Sequence, residues 1–554
     1  MTDEHGHDRT RFRRLALPAV AGLCLLTLIA KLWVNEPRGG VNHGDISFYY
    51  TVARNLAEGR GFFIDYIWNF WNRPEGFPTH SNVWWMPLPS VYCALAMKLF
   101  GVSYAVAQNA MIVLTSLLPW AVYLLGRELF GGRAVPLIGA ALAAVFHLFM
   151  DQVCAPLSHG PYVLGCTLAL WLILRSVRDP RLLFAAGGMI ALVQLSRSDG
   201  IVLFAVLAAA HLCARRRPVW RHWALLPLGY ALIMSPWWLH NLSEHGALQP
   251  GGSFRAVFLR EYDAWYSLPE SVTRETWLAD GWEPVLALKR RVAELNLDTA
   301  LNGLVVGAAD RKGAWEHPAL VAVLWLAWAG WLAALFRPGL RARFAPLWLL
   351  LALQYAFYSL VFTAVGPESF RSGMYSVYPA ALLAAAFALD LLARGLAAGA
   401  RRAGLPAGAG TGLRAVVLLG ALGWIAQGQL AFAHASMISK SAGITNLNRF
   451  HEALGERVFK PLLEPDSVVM ARDVHQLAAI NQVRCVTIPH EPEPVIRQVA
   501  RRYGVTHLLI IGDPARNPGR KGLRGLDRNP HWKRVAGPLW IEGQRVQVYV
   551  PVDP

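Results

Sequence analysis

Two aspartates beside apolar runs are the acids best placed for chemistry. Asp45 closely follows the first apolar run, 15–34, and Asp151 directly follows the run 134–150. A positioned carboxylate can act as general base for a hydroxyl group, and paired carboxylates can bind a divalent cation. We predict that Asp45 and Asp151 share one site, as catalytic groups or, if a metal takes part, as ligands of Mg²⁺ or Mn²⁺. For Asp151 alone, the alternative is a helix-end residue without a catalytic role.

Two arginines stand apart from the loops that carry most of the positive charge. Arg197 lies in LSRSDG near Asp199, and Arg371 lies in GPESFRSG near Glu368. A guanidinium group binds phosphate bidentately, so a phosphate group at the membrane surface is one explanation for them. A structural ion pair with the neighbouring acid is the other, and the sequence leaves both open.

Several other polar residues are candidates for binding a substrate. Two of them fall in a loop rich in tryptophan, and tryptophan at such positions commonly only anchors a membrane interface. The candidates are Tyr49, His80, Asn82, His159 and Asn241. For Asn241 a structural role is the alternative.

The segment after Asp45 has helical spacing. Apolar residues recur every fourth position over 46–58, and Gly59 ends the pattern. This predicts an amphipathic helix on the membrane surface, with Asp45 and Arg54 directed towards the headgroup layer.

Composition places these residues in a membrane protein. Of 554 residues 55% are hydrophobic and 16% charged, whereas soluble chains carry about a quarter charged residues. A run of about 20 apolar residues spans the hydrocarbon core. The run 85–101 is short and amphipathic, and we predict a helix at the outer interface there. The remaining runs predict about 11 spans: 15–34, 104–126, 134–150, 161–175, 182–195, 201–214, 223–240, 319–336, 346–364, 373–393 and 415–433.

The distribution of arginine predicts the orientation. The net charge is +17, and with 85–101 outside the membrane most of the arginines of the short loops fall on the side of the N-terminus, including Arg215, Arg216 and Arg217. The positive-inside rule then places residues 1–14 in the cytoplasm of a cell with this protein in its inner or plasma membrane. The basic excess thus sets orientation, and no nucleic-acid partner is needed to explain it.

Three domains follow from this topology. After the cytoplasmic residues 1–14, a membrane domain covers 15–433 and includes the external loops 35–102 and 241–318. Residues 434–554 alternate strand-length apolar runs with helical stretches, which predicts a soluble extracytoplasmic α/β domain. The expected fold class is a polytopic α-helical membrane protein with this C-terminal α/β domain.

The order of these features resembles the polytopic GT-C glycosyltransferases, especially bacterial protein-mannosyltransferases and aminoarabinose transferases. The resemblance covers roughly 10–400 and rests on GDISFYYTVARNLAEGRGF, GRELFGGR, Asp151, LSRSDG, PWWLHN and SFRSG. It departs at Trp85-Met86-Pro87-Leu88, where related transferases often have a Lys-Pro-Pro-Leu segment. The phosphate contact would then pass to His80 or Asn82, or to a site built differently.

The resemblance implies a reaction. A sugar carried on a polyprenyl phosphate is transferred to a glycan, lipid or protein acceptor at the extracytoplasmic face. Asp45 would be the base or a metal ligand, Asp151 would assist, and Arg54, Arg197 and Arg371 would hold the donor phosphate. The alternatives are a transporter or flippase of lipid or glycan, and a non-catalytic scaffold. The sequence has no Walker A motif, which disfavours ATP-driven transport.

Overall fold

The fold was analysed in a computed structural model of the chain. It describes residues 4–35, 40–41, 44–214, 219–250, 252–305, 314–363, 367–512 and 522–552. Arg215, Arg216 and Arg217, which support the predicted orientation, lie outside the described residues.

Apolar helices make up most of the chain. Among the described residues, six helical segments are long and apolar enough to cross a membrane, and shorter apolar helices accompany them. The number of about 11 spans therefore stays a prediction. The apolar helices are Glu4–Val34, Tyr104–Thr115, Leu118–Phe130, Ala134–Val145, His159–Ser176, Leu183–Ser196, Leu203–Leu212, Leu225–His245, Pro318–Leu335, Pro338–Ala356, Tyr378–Arg402 and Ala407–Leu454.

Shorter helices lie in the loops between them. The predicted interfacial segment 85–101 forms the helix Leu88–Phe100, whose 13 residues extend about 20 Å, less than the thickness of a hydrocarbon core. The others are Gly44–Ala57, His147–Met150, Trp220–Trp223, Arg274–Trp277, Trp282–Asn302 and Pro367–Met374.

Close helix crossings depend on glycine. The helices Leu183–Ser196 and Leu225–His245 approach so closely that a Cβ on Gly187 would lie 2.1 Å from the carbonyl oxygen of Leu226. A Cβ on Gly229 would lie 2.0 Å from the carbonyl oxygen of Phe184. Both contacts are with backbone atoms, which cannot move aside without separating the helices.

Replacing Gly187 with alanine should therefore destabilise the protein by about 1–3 kcal/mol, the usual cost of overpacking. Gly188→Ala is the matched control, because its Cβ would meet its nearest neighbour at an ordinary 3.5 Å. Thermal unfolding in detergent measures both variants. Equal melting temperatures for the two variants would show that this crossing does not depend on Gly187.

The C-terminal region contains a six-stranded sheet. Its strands are β2 (Tyr66–Ile67), β4 (Val468–Ala471), β5 (Arg484–Thr487), β6 (His507–Ile511), β7 (Trp532–Ile541) and β8 (Gln544–Pro551), in the order β2-β5-β4-β6-β8-β7. β1 (Phe63–Ile64) and β3 (Thr79–His80) form a separate antiparallel pair. The helices Val474–Asn481 and Glu493–Arg502 connect β4 to β5 and β5 to β6.

The sheet and the membrane helices are joined in two ways. β2 comes from the first loop and pairs in parallel with β5, Tyr66 opposite Cys485. The last long helix, Ala407–Leu454, runs without interruption through the predicted boundary at 433 and 434. Its Phe450 and Leu454 share a buried apolar cluster with Val469 of the sheet. The domain limits 1–14, 15–433 and 434–554 remain a prediction.

Candidate functional site

A cavity of about 720 Å³ lies where the loops, the last long helix and the C-terminal sheet meet. Its lining comes from segments far apart in the chain. The polar and charged residues on its wall include Asp45, His147, Asp151, Gln152, His159, Tyr262, Tyr266, Glu368, Arg371, Lys440, Arg472, Asp473, His475 and Gln476. Four residues of the predicted site, namely Asp45, Asp151, His159 and Arg371, are thus brought together.

Asp45 is held by a helix whose apolar side is buried. The predicted helix over 46–58 is present as Gly44–Ala57, and its Phe48 and Val52 are fully buried. Asp45 lies in the first turn, where the helix dipole favours a negative charge, and is exposed on the cavity wall. The helix therefore presents the carboxylate to the cavity.

Asp151 follows the single helical turn His147–Met150. Asn35 at the end of the first helix fixes this turn by donating its Nδ2 to the carbonyl of Met150 at 2.7 Å. The carboxylate of Asp151 forms an ion pair with Lys440 of the last long helix, and both side chains are mostly buried. Asp151 is thus positioned from both sides, and its charge is balanced.

Arg371 lies in the helix Pro367–Met374 and is 7% exposed. One terminal nitrogen donates to Glu368, with the closer carboxylate oxygen at 3.1 Å. The Nε atom is buried and has no hydrogen-bond partner among the described residues. Arg371 also lines the cavity, so its guanidinium can donate to an anionic group bound there. Arg371 therefore forms the ion pair with Glu368 and also lies on the cavity wall.

Arg197 is satisfied within the protein. Its Nε donates to Asp199 at 3.2 Å and a terminal nitrogen donates to the hydroxyl of Tyr358 at 2.9 Å. Asp199 also accepts a bond from the same tyrosine at 2.8 Å. Arg197 does not line the cavity, and the structure favours the ion pair for this residue.

Tyr49 and His159 differ in their access to the cavity. His159 lies on the wall and its ring packs on Tyr375 at 4.7 Å between centroids. Tyr49 is 2% exposed and sits behind the wall. Its burial, followed by the charge of Asp45, raises the pKa of Tyr49 above its usual range, so the phenol stays neutral.

The other predicted binding residues lie away from the cavity. Arg54 does not point to a headgroup layer but donates to the carbonyl of Ala479 at 3.2 Å. His80 lies 3.8 Å from Glu244, and Asn82 donates to the carbonyl of Trp85. Asn241 donates to the carbonyl of Leu248, which matches its structural alternative.

Sequence reasoning missed the contributions of the last helix and the C-terminal sheet. Lys440 is 289 positions from Asp151, and Arg472, Asp473 and His475 follow β4. The polar residue Lys440 just beyond the last apolar run was one available signal. For the residues after β4 the sequence contains no such signal, because no local pattern indicates that they lie near the first loop.

Of the two acids predicted as metal ligands, Asp151 is paired with Lys440. No group of three or more His, Cys, Asp or Glu side chains in this part of the chain is arranged to hold a metal ion. The predicted pair Asp45 and Asp151 has no third protein ligand of this kind there. We derive no reaction step through Mg²⁺ or Mn²⁺.

Comparison with known proteins gives a partial family match and a full-length fold match. Residues 85–240 match the family model described as dolichyl-phosphate-mannose-protein mannosyltransferase. A search of curated proteins gives no match. Among solved structures, ArnT from Cupriavidus metallidurans bound to undecaprenyl phosphate is 13% identical with a TM-score of 0.61, covering 96% of this chain and 97% of ArnT.

A second structural relative is the archaeal oligosaccharyltransferase AglB from Archaeoglobus fulgidus in complex with an inhibitory peptide and a dolichol-phosphate. It is 13% identical, with a TM-score of 0.56, and the match covers 90% of this chain and 69% of AglB. The predicted fold class, a polytopic membrane protein with a C-terminal sheet-containing domain, is confirmed. The resemblance read from the sequence is confirmed as well: this chain has the fold of the polytopic GT-C glycosyltransferases.

Proposed function

We propose that this protein is a glycosyltransferase that moves a sugar from a polyprenyl-phosphate donor to an acceptor at the extracytoplasmic face of the inner or plasma membrane. One observation carries the proposal. The cavity collects the acids Asp45 and Asp151 and the buried cation Arg371 from three separate segments. The proposed reaction deprotonates a hydroxyl group and releases a phosphate. It needs a carboxylate for the first step and a cation for the second, and the cavity provides both.

Asp45 is the proposed general base. The acceptor oxygen forms a bond to the anomeric carbon while the bond from that carbon to the phosphate oxygen breaks. The acceptor's proton passes to the Asp45 carboxylate, and polyprenyl phosphate leaves with the electron pair. This displacement inverts the anomeric centre and needs no covalent intermediate on the protein.

Arg371 is the proposed ligand of the departing phosphate. Charge develops on the phosphate as the bond to the sugar breaks, so a guanidinium at this position stabilises the transition state more than the ground state. Arg371 lines the cavity, so its guanidinium is placed to donate to a phosphate bound there. Arg197 is held by Asp199 and Tyr358, and we assign it an indirect part, through its positive charge behind Tyr49.

Asp151 and His159 are assigned supporting roles. Asp151 fixes the ammonium of Lys440 on the cavity wall, as a hydrogen-bond donor to the substrate. His159 is proposed to contact the substrate directly, and Tyr49 to support the wall beneath it. Arg54, His80, Asn82 and Asn241 have no place on this wall, and their predicted binding roles rest on the sequence alone.

Glycan analysis of a deletion strain tests this proposal. Mass spectrometry should show one sugar missing from a cell-envelope glycan, lipid or protein, and the wild-type gene should restore it. An unchanged glycan profile would contradict the proposal. Purified protein in liposomes separates the alternative: movement of a labelled lipid-linked sugar across the bilayer, without transfer to any acceptor, would instead support a flippase.

Removing the counter-ion of Arg371 should tighten phosphate binding. Glu368 is paired with Arg371 but its side chain is 61% exposed, so the pair is worth at most about 1 kcal/mol. Glu368→Gln should therefore lower the Kd for undecaprenyl phosphate by up to about 5-fold. Glu270→Gln, which breaks the exposed pair with Arg73, is the matched control. If Glu368→Gln instead binds undecaprenyl phosphate more weakly than wild type, the phosphate does not bind at Arg371.

A further inference from the structure

The carboxyl end of β4 is a topological switch point of the C-terminal sheet. β4 lies between its parallel neighbours β5 and β6. The chain passes from β4 to β5 on one side and then crosses to β6 on the other. The connecting helices accordingly pack on opposite faces: Leu477 of the first shares a cluster with Val469, and Val499 of the second shares one with Met470.

Open α/β sheets bind ligands in the crevice at such a point, outside the carboxyl ends of the strands. Here the crevice forms part of the cavity wall. Arg472, Asp473, His475 and Gln476 follow β4 directly and line the same cavity as Asp45. The switch point of the sheet thus opens into the cavity that also holds Asp45.

His475 is the most constrained side chain of this segment. It is 9% exposed, and its Nδ1 has no hydrogen-bond partner among the described residues. Its ring packs edge-on against Tyr66, with centroids 5.0 Å apart, and lies near Trp68 and Trp85. Burial lowers the pKa of His475 to about 3, so the imidazole is neutral at physiological pH and can donate one hydrogen bond and accept another.

The neighbouring residues suit a hydroxyl-rich ligand. A carboxylate, a guanidinium, an amide and a neutral imidazole together offer both donors and acceptors to sugar hydroxyl groups. His475 also lies beside the proposed base, because its Cδ2 is 3.5 Å from the position that a Cβ on Gly44 would take. The transferred sugar must lie between Asp45 and the departing phosphate, in the cavity that this segment also lines.

We propose that the segment after β4, with Arg472, Asp473 and His475, binds the hydroxyl groups of the sugar that the donor lipid carries. This rests on the proposed function. The soluble domain then selects the sugar, whereas Arg371 binds the phosphate that all such donors share. The aromatic rings around His475 keep its imidazole in place.

The test compares lipids with and without a sugar. Binding to the full-length protein in nanodiscs is measured for undecaprenyl phosphate and for the same lipid carrying mannose, glucose, galactose or arabinose. At least one sugar lipid should bind wild type more tightly than the bare lipid. His475→Phe keeps an aromatic ring in the pocket but removes both nitrogens, and should reduce this gain about 3- to 10-fold, with little effect on the bare lipid.

Asp473→Asn is the second variant, because Asp473 is exposed and the substitution preserves shape. It should reduce the same gain even if His475→Phe unfolds the domain. Asp466→Asn is the matched control, since Asp466 lies before β4, at its opposite end, and is paired with Arg484 at the surface. Thermal unfolding of each variant checks the fold.

Three results are distinguishable. Failure of wild type to bind even bare undecaprenyl phosphate would overturn the proposed function itself, and this subsite with it. Bare-lipid binding without a gain for any sugar would overturn the subsite alone. The subsite would also be overturned if both variants, His475→Phe and Asp473→Asn, are folded and still bind the sugar lipid more tightly than the bare lipid by the wild-type factor. The sugar would then be recognised elsewhere.

Discussion

Asp45→Asn should lower the rate of sugar transfer about 10²- to 10⁴-fold, the range that loss of a general base produces. The amide occupies the same volume but cannot take the acceptor's proton at neutral pH. Asp45 is exposed on the cavity wall, so the substitution should leave the fold and the melting temperature unchanged. Donor binding should also persist, because the phosphate contacts are assigned to other residues.

Asp65→Asn is the matched control for this result. Asp65 lies in the same loop and pairs with Arg60 at 3.6 Å, but it does not line the cavity. The assay measures restoration of the missing sugar in a deletion strain, with the amount of membrane protein determined in parallel. Full restoration by Asp45→Asn would remove Asp45 from the catalytic role.

Arg371→Ala should weaken binding of undecaprenyl phosphate by about 10- to 100-fold, since hydrogen bonds to charged groups contribute about 1.5–3 kcal/mol. Transfer should fall further than binding, because the guanidinium acts most strongly on the charge that develops as the phosphate leaves. Arg371→Lys should recover part of the binding, because it restores the charge without the planar, bidentate geometry.

Arg73→Ala is the control for Arg371. Arg73 is also paired with a glutamate, Glu270 at 2.8 Å, but lies at the surface and away from the cavity. Its variant should bind the lipid like wild type. If folded Arg371→Ala binds undecaprenyl phosphate as tightly as Arg73→Ala does, other cations of the cavity wall must bind the phosphate.

Local patterns predicted a good part of the site. The recurrence of apolar residues predicted the helix that carries Asp45. The end of the run 134–150 predicted a helix end at Asp151, and the structure divides that run into the helix Ala134–Val145 and the short turn His147–Met150. These features depend on residues close together in sequence. The ion pair of Arg197 with Asp199 is one of the two interpretations that the sequence left open, and its partners are two positions apart.

What the sequence did not reveal depends on distant contacts. β2 has only two residues, and its pairing with β5 joins Tyr66 to Cys485. No periodicity can be detected in so short a strand. The direction of Arg54 was wrong for the same reason: the helix was expected on a lipid surface, whereas its arginine meets Ala479 of the sheet domain.

The last apolar run also illustrates the limit of hydropathy. Apolar composition ends near 433, and the sequence therefore predicts that a separate domain starts there. The helix itself continues to Leu454, because backbone hydrogen bonding does not require apolar side chains and Phe450 and Leu454 are buried against the sheet. This continuation is what brings Lys440 to Asp151.

The most direct test of the central claim is a cryo-electron microscopy structure of the protein in nanodiscs with undecaprenyl phosphate. We expect density for the phosphate in the cavity, within hydrogen-bond distance of the Arg371 guanidinium and on the same wall as Asp45. Density for the lipid phosphate at a site outside this cavity, at saturating lipid, would contradict the account.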